Sequence, residues 1–230
     1  MASEPSTVPG MRARCDSVVK IYPSATGQVL AINGVDIVLS PGELTALIGP
    51  SGSGKSTLLA LIGLRDRPTA GEVSWDGRPT VALGRRDLAR VRRRIRWISQ
   101  RPAESLFPHL SAADHVLQTI RSTRVEGVGV DEALGRVGLT SVRDTPTRYL
   151  SGGEQQRLAV ISAVIARAPI LLADEPTAEL DDATSALVFA ELSALAAAGA
   201  TVVVATHDAR AQAVADRVVE CKDLEVRTLR

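Results

Sequence analysis

The stretch that decides the fold is Leu44-Thr45-Ala46-Leu47-Ile48-Gly49-Pro50-Ser51-Gly52-Ser53-Gly54-Lys55-Ser56-Thr57. Leu44 to Ile48 is a short apolar run after a Pro41-Gly42 turn, the pattern of a buried parallel strand. Residues 56–64 continue as an apolar helical stretch. The loop between them satisfies G-x-x-x-x-G-K-[ST], and a strand before it and a helix after it are the context that motif requires. Gly49, Gly52 and Gly54 let the backbone bend until successive N–H groups point inward as an anion nest, with Pro50, Ser51 and Ser53 completing the loop. The helix then aims the positive end of its dipole at the same anion. Lys55 is placed to reach β- and γ-phosphates, and Ser56 to offer its hydroxyl to Mg²⁺. Only three of the 27 basic residues are lysines, which sets Lys55 apart from Lys20, from Lys222 in what reads as a C-terminal tail, and from a pool of arginines.

Working outward, Val18 to Ile21 and the alternating Val35, Ile37 and Leu39 read as strands before the loop. Residues 71–77 and 95–99 read as strands after it. Residues 101–150 turn mostly helical, with candidate helices over 114–124 and 131–137. A further helix over 155–167 precedes Ile170-Leu171-Leu172-Ala173-Asp174-Glu175, an apolar strand that ends in two carboxylates. Such a strand delivers acid to the sheet edge where ligands bind. Asp174 suits a Mg²⁺ contact through water, and Glu175 suits polarising an attacking water. Adjacent strand residues face opposite ways, so the two need not share one role. A helix over 185–198 and a third buried strand over 201–205 complete an α/β core with an inserted helical segment.

Leu150-Ser151-Gly152-Gly153-Glu154-Gln155-Gln156-Arg157 ends 13 residues before the acidic strand. It is a Ser-Gly-Gly turn opening a helix, hence a second anion-binding helix N-terminus. This octapeptide resembles the LSGGQ-type signature of ATP-binding cassette (ABC) ATPases, and with the phosphate loop and Asp174-Glu175 the resemblance covers roughly residues 12–221. It implies a P-loop NTPase (RecA-like) core, an N-terminal antiparallel β-subdomain and an inserted helical subdomain. It also implies a head-to-tail dimer in which Ser151, Gly152, Gly153 and Glu154 of one copy close on the ATP held by the other. Further positions match the family. Tyr22 stands where an aromatic ring stacks on adenine. Gln100 resembles the Q-loop glutamine that senses Mg²⁺ and the γ-phosphate. His207 resembles the switch histidine, and Asp181 the D-loop aspartate at the dimer seam. The stretch Glu175 to Asp181 looks like the EPTGNLD form of lipoprotein-release, macrolide-export and cell-division cassettes, with Ala178 and Glu179 in place of Gly and Asn. His109 and His115 match no catalytic position and read as structural or surface residues.

The resemblance therefore implies an ATPase with ATP and Mg²⁺ as cofactors, paired with a second ATP-binding subunit, most simply a copy of itself. A membrane permease subunit is expected to dock near Gln100 and Leu106-Phe107-Pro108-His109-Leu110. Export or extraction of a lipid-linked, peptide or drug-like substrate is the expected work. The alternative is a non-transporting regulator of cell-wall hydrolysis resembling the cell-division cassette. The expected place is the cytoplasmic face of a bacterial membrane.

Composition agrees. Over 230 residues, 45% are apolar and 23% charged, with a net charge of +1, which suits a soluble globular domain and argues against a protein that coats nucleic acid. No apolar run approaches the roughly 18 residues of a membrane span. Residues 1–10 read as a loose tail without the basic start and apolar run of a secretory signal. Residues 11–230 read as one domain: 11–100 for the β-subdomain and first part of the core, 101–150 for the helical subdomain, and 151–230 for the signature helix and the rest of the core. Cys15 and Cys221 read as free thiols. Arg85, Arg86, Arg90, Arg92, Arg93, Arg94 and Arg96 crowd one stretch, read as a solvated helix face close to an anionic membrane surface or a partner's acidic loop.

Overall fold

The computed structural model describes residues 8–25, 27–222 and 224–229. The chain opens with two long antiparallel strands, β1 (Ala13–Ser24) and β2 (Gly27–Leu39). Then come β3 (Leu44–Ile48), α1 (Lys55–Ile62), β4 (Ala70–Trp75) and β5 (Arg78–Pro79). The arginine-rich α2 (Arg85–Arg93) leads to β6 (Ile95–Ile98). The inserted segment carries α3 (Ala112–Thr123) and α4 (Val130–Arg136). Last are α5 (Gly152–Ile165), β7 (Ile170–Asp174), α6 (Asp182–Ala197), β8 (Thr201–Thr206), α7 (Ala209–Val214), β9 (Arg217–Lys222) and β10 (Glu225–Thr228).

These strands form two sheets. β2-β1-β4-β5 is antiparallel, the expected N-terminal β-subdomain, and β10-β9-β3-β8-β7-β6 is the core sheet. Five strands of the core sheet, β9, β3, β8, β7 and β6, run parallel, and β10 adds an antiparallel edge. Alternation along the central strands explains the layering. Leu47, Leu172 and Val203 face α1 and the β-subdomain, in a core with Leu58, Ile62 and Trp75. Ala46, Leu171, Val202 and Val204 face the opposite side, against Val160, Val188 and Leu192 of α5 and α6. A third cluster joins Val116 and Leu134 to Leu158 and Ile161 of α5. α5 thus belongs to two cores at once, and it is apolar nearly all round because both of its faces are covered.

Two expectations change. Residues 8–10 are not tail: Val8 is buried and its N–H donates to Ala198 O at 2.7 Å. Residues 1–7 lie outside the described residues. Lys222, read as part of a C-terminal tail, is instead the last residue of β9. Cys15 and Cys221 are both free and buried, and burial pushes their thiols up to about 12 and about 11. They are therefore inert packing groups. Among the described residues no helix is long and apolar enough to cross a membrane.

Candidate functional site

Parallel strands deliver their C-terminal ends to one edge of the sheet, where ligands of open α/β folds bind. Gly49 follows directly on β3, Glu175 on β7 and His207 on β8, and Gln100 lies two residues beyond β6. Between them lies a cavity of about 530 Å³, lined by Ser51, Gly52, Gly54, Lys55, Ser56 and Thr57 on one side and by Gln100, Glu175 and His207 on the other. Val29, Leu30 and Ala31 of β2 close a third wall. Sequence reading gave these three no role. Their one signal is visible only after folding, in that Val29 and Leu30 are 52% and 38% exposed while most apolar strand residues are buried.

The loop is built so that only glycine fits. Gly54 sits at φ +93°, and a Cβ there would lie 2.6 Å from Ala31 O. Gly49 sits at φ +148°, and a Cβ would lie 2.1 Å from Cys221 O. Gly49→Ala should lower stability by about 2 kcal/mol and abolish nucleotide binding. A denaturation midpoint and a nucleotide titration check this, and parental values for both would contradict the geometry. Gly54 also forms the N-cap of α1 without any side-chain cap, so the first N–H groups of the helix stay available to an anion. Ser53 Oγ is buried without a hydrogen-bond partner, a polar atom that the loop itself leaves unsatisfied. Lys55 is 7% exposed and donates from Nζ to Gly49 O at 2.8 Å and Pro50 O at 2.9 Å. The ammonium is thereby held over the loop.

Ser56 Oγ donates to Asp174 Oδ1 at 3.0 Å, which brings a hydroxyl and a carboxylate together beside the loop. Burial pushes the Asp174 carboxyl above the ordinary range; Glu175 adds to this, and Ser56 and Lys55 oppose it. Oxygen donors of this kind suit a hard divalent cation that keeps several waters. Glu175 adopts φ +49°, a left-handed conformation that is strained for a side chain of this size. Its N–H donates to Ala205 O at 2.8 Å, and its carboxylate is pinned from two sides. Thr206 Oγ1 donates to Oε2 at 2.8 Å, and His207 Nδ1 lies 2.9 Å from Oε1. Thr206, buried at the end of β8, is a positioning group that the sequence reading missed because it looked like one more strand residue.

Other expected residues lie apart from this cavity. Tyr22 does not line it, but it pairs with the wall residue Val29 across the β1–β2 ladder, which puts the two on one face, and its hydroxyl meets that of Thr57. The Tyr22 hydroxyl donates to Asp66 Oδ2 at 2.8 Å, and Lys20 Nζ sits 4.7 Å from its ring centroid. Ser151 and Glu154 form a capping box on α5: Ser151 Oγ accepts from Glu154 N–H at 3.3 Å, and Glu154 Oε2 accepts from Ser151 N–H at 2.8 Å. Gly152 and Gly153 lie against Glu179 and Leu180. Asp181 caps α6, accepting from Thr184 N–H at 2.8 Å, and that N–H holds its carboxyl below the usual range. None of Tyr22, Ser151, Gly152, Gly153, Glu154 and Asp181 lines the cavity. His115 is buried against Ser162, with Nδ1 and Oγ 3.2 Å apart, and His109 meets Arg148 at 2.7 Å. Both sit within the helical subdomain, away from the cavity. In the basic stretch, α2 tucks Leu88 and Val91 against the core and leaves Arg85, Arg86, Arg90 and Arg93 exposed.

A sheet edge that gathers a glycine phosphate loop, two carboxylates and a histidine, with a second helix N-terminus elsewhere on the surface, defines a nucleotide-hydrolysing cassette. Residues 32–178 match the family model described as ABC transporter, and the chain belongs to that family, as an ATPase cassette. It is 40% identical over 207 residues to the macrolide export ATP-binding/permease protein MacB of Rhodopseudomonas palustris (strain BisB18), covering 88% of this chain and 31% of that protein. It is 39% identical over 210 residues to the lipoprotein-releasing system ATP-binding protein LolD 2 of Caulobacter vibrioides, covering 89% of this chain and 91% of that protein. The chain thus spans about a third of the export ATP-binding/permease relatives and nearly all of the lipoprotein-releasing ones. Among solved structures, the dimeric post-hydrolysis state of the ATP-binding cassette MJ0796 bound to ADP and Pi superposes with a TM-score of 0.81 at 35% identity, over 95% of this chain and 99% of that one. The expected family and fold, including its subgroup near macrolide-export and lipoprotein-releasing cassettes, are confirmed.

Proposed function

We propose that the chain is the ATP-hydrolysing subunit of a membrane complex and that two copies close head to tail around two ATP molecules. The observation that carries this reading is the separation, within one chain, of the Ser151–Glu154 helix N-terminus from the cavity at Lys55, Glu175 and His207. The capping box takes the Ser151 and Glu154 N–H groups but leaves those of Gly152 and Gly153 without an intrahelical partner, and a seat that its own nucleotide does not reach is suited to the nucleotide of another copy. The dimeric state of the MJ0796 relative supports the same arrangement.

In this reading the loop from Gly49 to Thr57 and the N-terminus of α1 bind the phosphates, with Lys55 neutralising charge that develops on them. Tyr22 supports the adenine side. Ser56, Asp174 and Gln100 hold Mg²⁺, which supplies Lewis-acid neutralisation when bound. Glu175 orients the attacking water and accepts its proton, and His207 and Thr206 fix that carboxylate. Asp181 meets the partner copy at the seam.

The membrane subunit docks beside Gln100 and the segment from Leu106 to Leu110, where Leu106 is buried and Phe107 stands 57% exposed. The cassette sits at the cytoplasmic face of the membrane, and the work is export or extraction of a lipid-linked, peptide or drug-like substrate. Purification of the chain from detergent-solubilised membranes, followed by sequencing of whatever accompanies it, tests this. An export- or extraction-type membrane subunit is the expected companion. A companion that moves no substrate and instead acts on a cell-wall hydrolase would replace transport by regulation. Recovery with ribosomes or DNA alone would overturn the membrane assignment.

A further inference from the structure

Arg210 has no part in the reading above, yet its guanidinium closes a chain of hydrogen bonds that begins at Glu175. Thr206 Oγ1, which donates to Glu175 Oε2 at 2.8 Å, accepts from the Asp208 backbone N–H at 3.0 Å. The Asp208 carboxylate is then held from several sides. Thr177 Oγ1 donates to Oδ2 at 2.9 Å, and Arg210 donates to Oδ1 from its backbone N–H at 2.9 Å and from Nε at 2.8 Å. At the other end of the fork, Arg210 Nη1 reaches Asp182 Oδ1 at 2.5 Å. Asp182 is the first residue of α6, beside the Asp181 cap. One side chain therefore joins the segment that bears His207 to the segment that bears Asp181.

We infer that Arg210 is a positioning residue that makes the placement of Glu175 and His207 follow the Asp181 loop. The inference rests on the proposed roles of Glu175 and His207 and on Asp181 lying at the seam between two copies. The two halves of the link differ in stiffness. The Asp208 side chain is 12% exposed, and although burial pushes its carboxyl up, Arg210 and Thr177 outweigh burial and hold it below the usual range. The Asp182 side chain is 99% exposed, so its ion pair is screened and readily remade. The link is firm toward the hydrolytic pair and compliant toward the seam, which suits a part that must transmit a closing motion. A guanidinium can hold two carboxylates in fixed and separate directions, whereas an ammonium is a point charge.

The test uses the full chain with Arg210→Gln, Arg210→Lys, Asp182→Asn and the double variant Asp182→Asn/Arg210→Gln. Turnover is measured against ATP concentration, binding with a fluorescent ATP analogue, and folding by thermal midpoint. Arg210→Gln should lower kcat by about tenfold while half-saturation and analogue affinity stay within about twofold. Arg210→Lys should not rescue it. Asp182→Asn should lose less, and the double variant should fall no further than Arg210→Gln, because both act through one link. At about 1 M salt, where the Debye length is ~3 Å, parental kcat should approach that of Asp182→Asn. Parental kcat in Arg210→Gln, or a double variant whose loss is the product of the two single losses, would overturn the inference. So would a loss of kcat matched by a fall in analogue affinity and midpoint, which marks a structural role. Glu175→Gln measured alongside keeps the two readings apart: if it turns over normally, the hydrolytic assignment fails, whatever Arg210 does.

Discussion

Replacing Glu175 by glutamine should lower ATP turnover by about 10³-fold and leave ATP affinity within about twofold of the parent. The amide keeps the size of the carboxylate and can still accept from Thr206 Oγ1, which donates to Oε2 at 2.8 Å. It loses the ability to take a proton from water, the one function that needs a charge at that position. Nucleotide binding rests on groups the substitution does not touch, chiefly the loop around Lys55 and the uncapped N-terminus of α1. The check is a single-turnover measurement beside an equilibrium titration. Turnover near the parental value would remove Glu175 from the mechanism and leave its strained backbone, at φ +49°, without a purpose.

The second large effect is expected at Lys55. Lys55→Ala should weaken ATP binding itself by about 30-fold, roughly 2 kcal/mol, because a charge-assisted bond to phosphate is lost. The ammonium is already gathered over the loop by the carbonyls of Gly49 and Pro50, so little ordering remains to be done when phosphate arrives. Removing it also takes one donor from each of those two carbonyls, although Pro50 O keeps the Ser53 N–H at 3.3 Å. The two variants separate cleanly: one binds without hydrolysing, and the other binds poorly. A Lys55→Ala chain that binds ATP as tightly as the parent would contradict the phosphate assignment of the loop.

The parts of the site that were legible in the sequence are those written in local chemistry. The loop 49–57 needs glycines at fixed offsets, and its backbone conformations leave no other choice at Gly49 and Gly54. The acidic end of β7 and the Ser151-Gly152-Gly153 turn before α5 are short local patterns of the same kind. Boundaries shifted where a cap sat earlier than the apolar pattern. α5 begins at Gly152 rather than 155 because Ser151 caps it, and α6 begins at Asp182 rather than 185 because Asp181 does. Contacts between distant segments were not legible. Val29 to Ala31 form a cavity wall only once β2 lies beside the loop. Thr206 and Asp208 acquire roles only when β8 ends beside β7, with Asp174 opposite Ala205. The register of β9 and β10 was also hidden, since a short C-terminal hairpin carries a weak periodic signal.

The claim on which everything else depends is that two copies share their nucleotides across one seam. The most direct measurement is the mass of the Glu175→Gln chain by light scattering, with bound nucleotide counted, in ATP and Mg²⁺ and again without nucleotide. The account predicts a monomer without nucleotide and a dimer holding two ATP molecules with it. The dimer should be lost when Ser151 is replaced by a bulky residue in the same chain, although each monomer still binds ATP. A chain that stays monomeric with ATP bound, or a dimer that forms equally well without ATP and survives the change at Ser151, would contradict it.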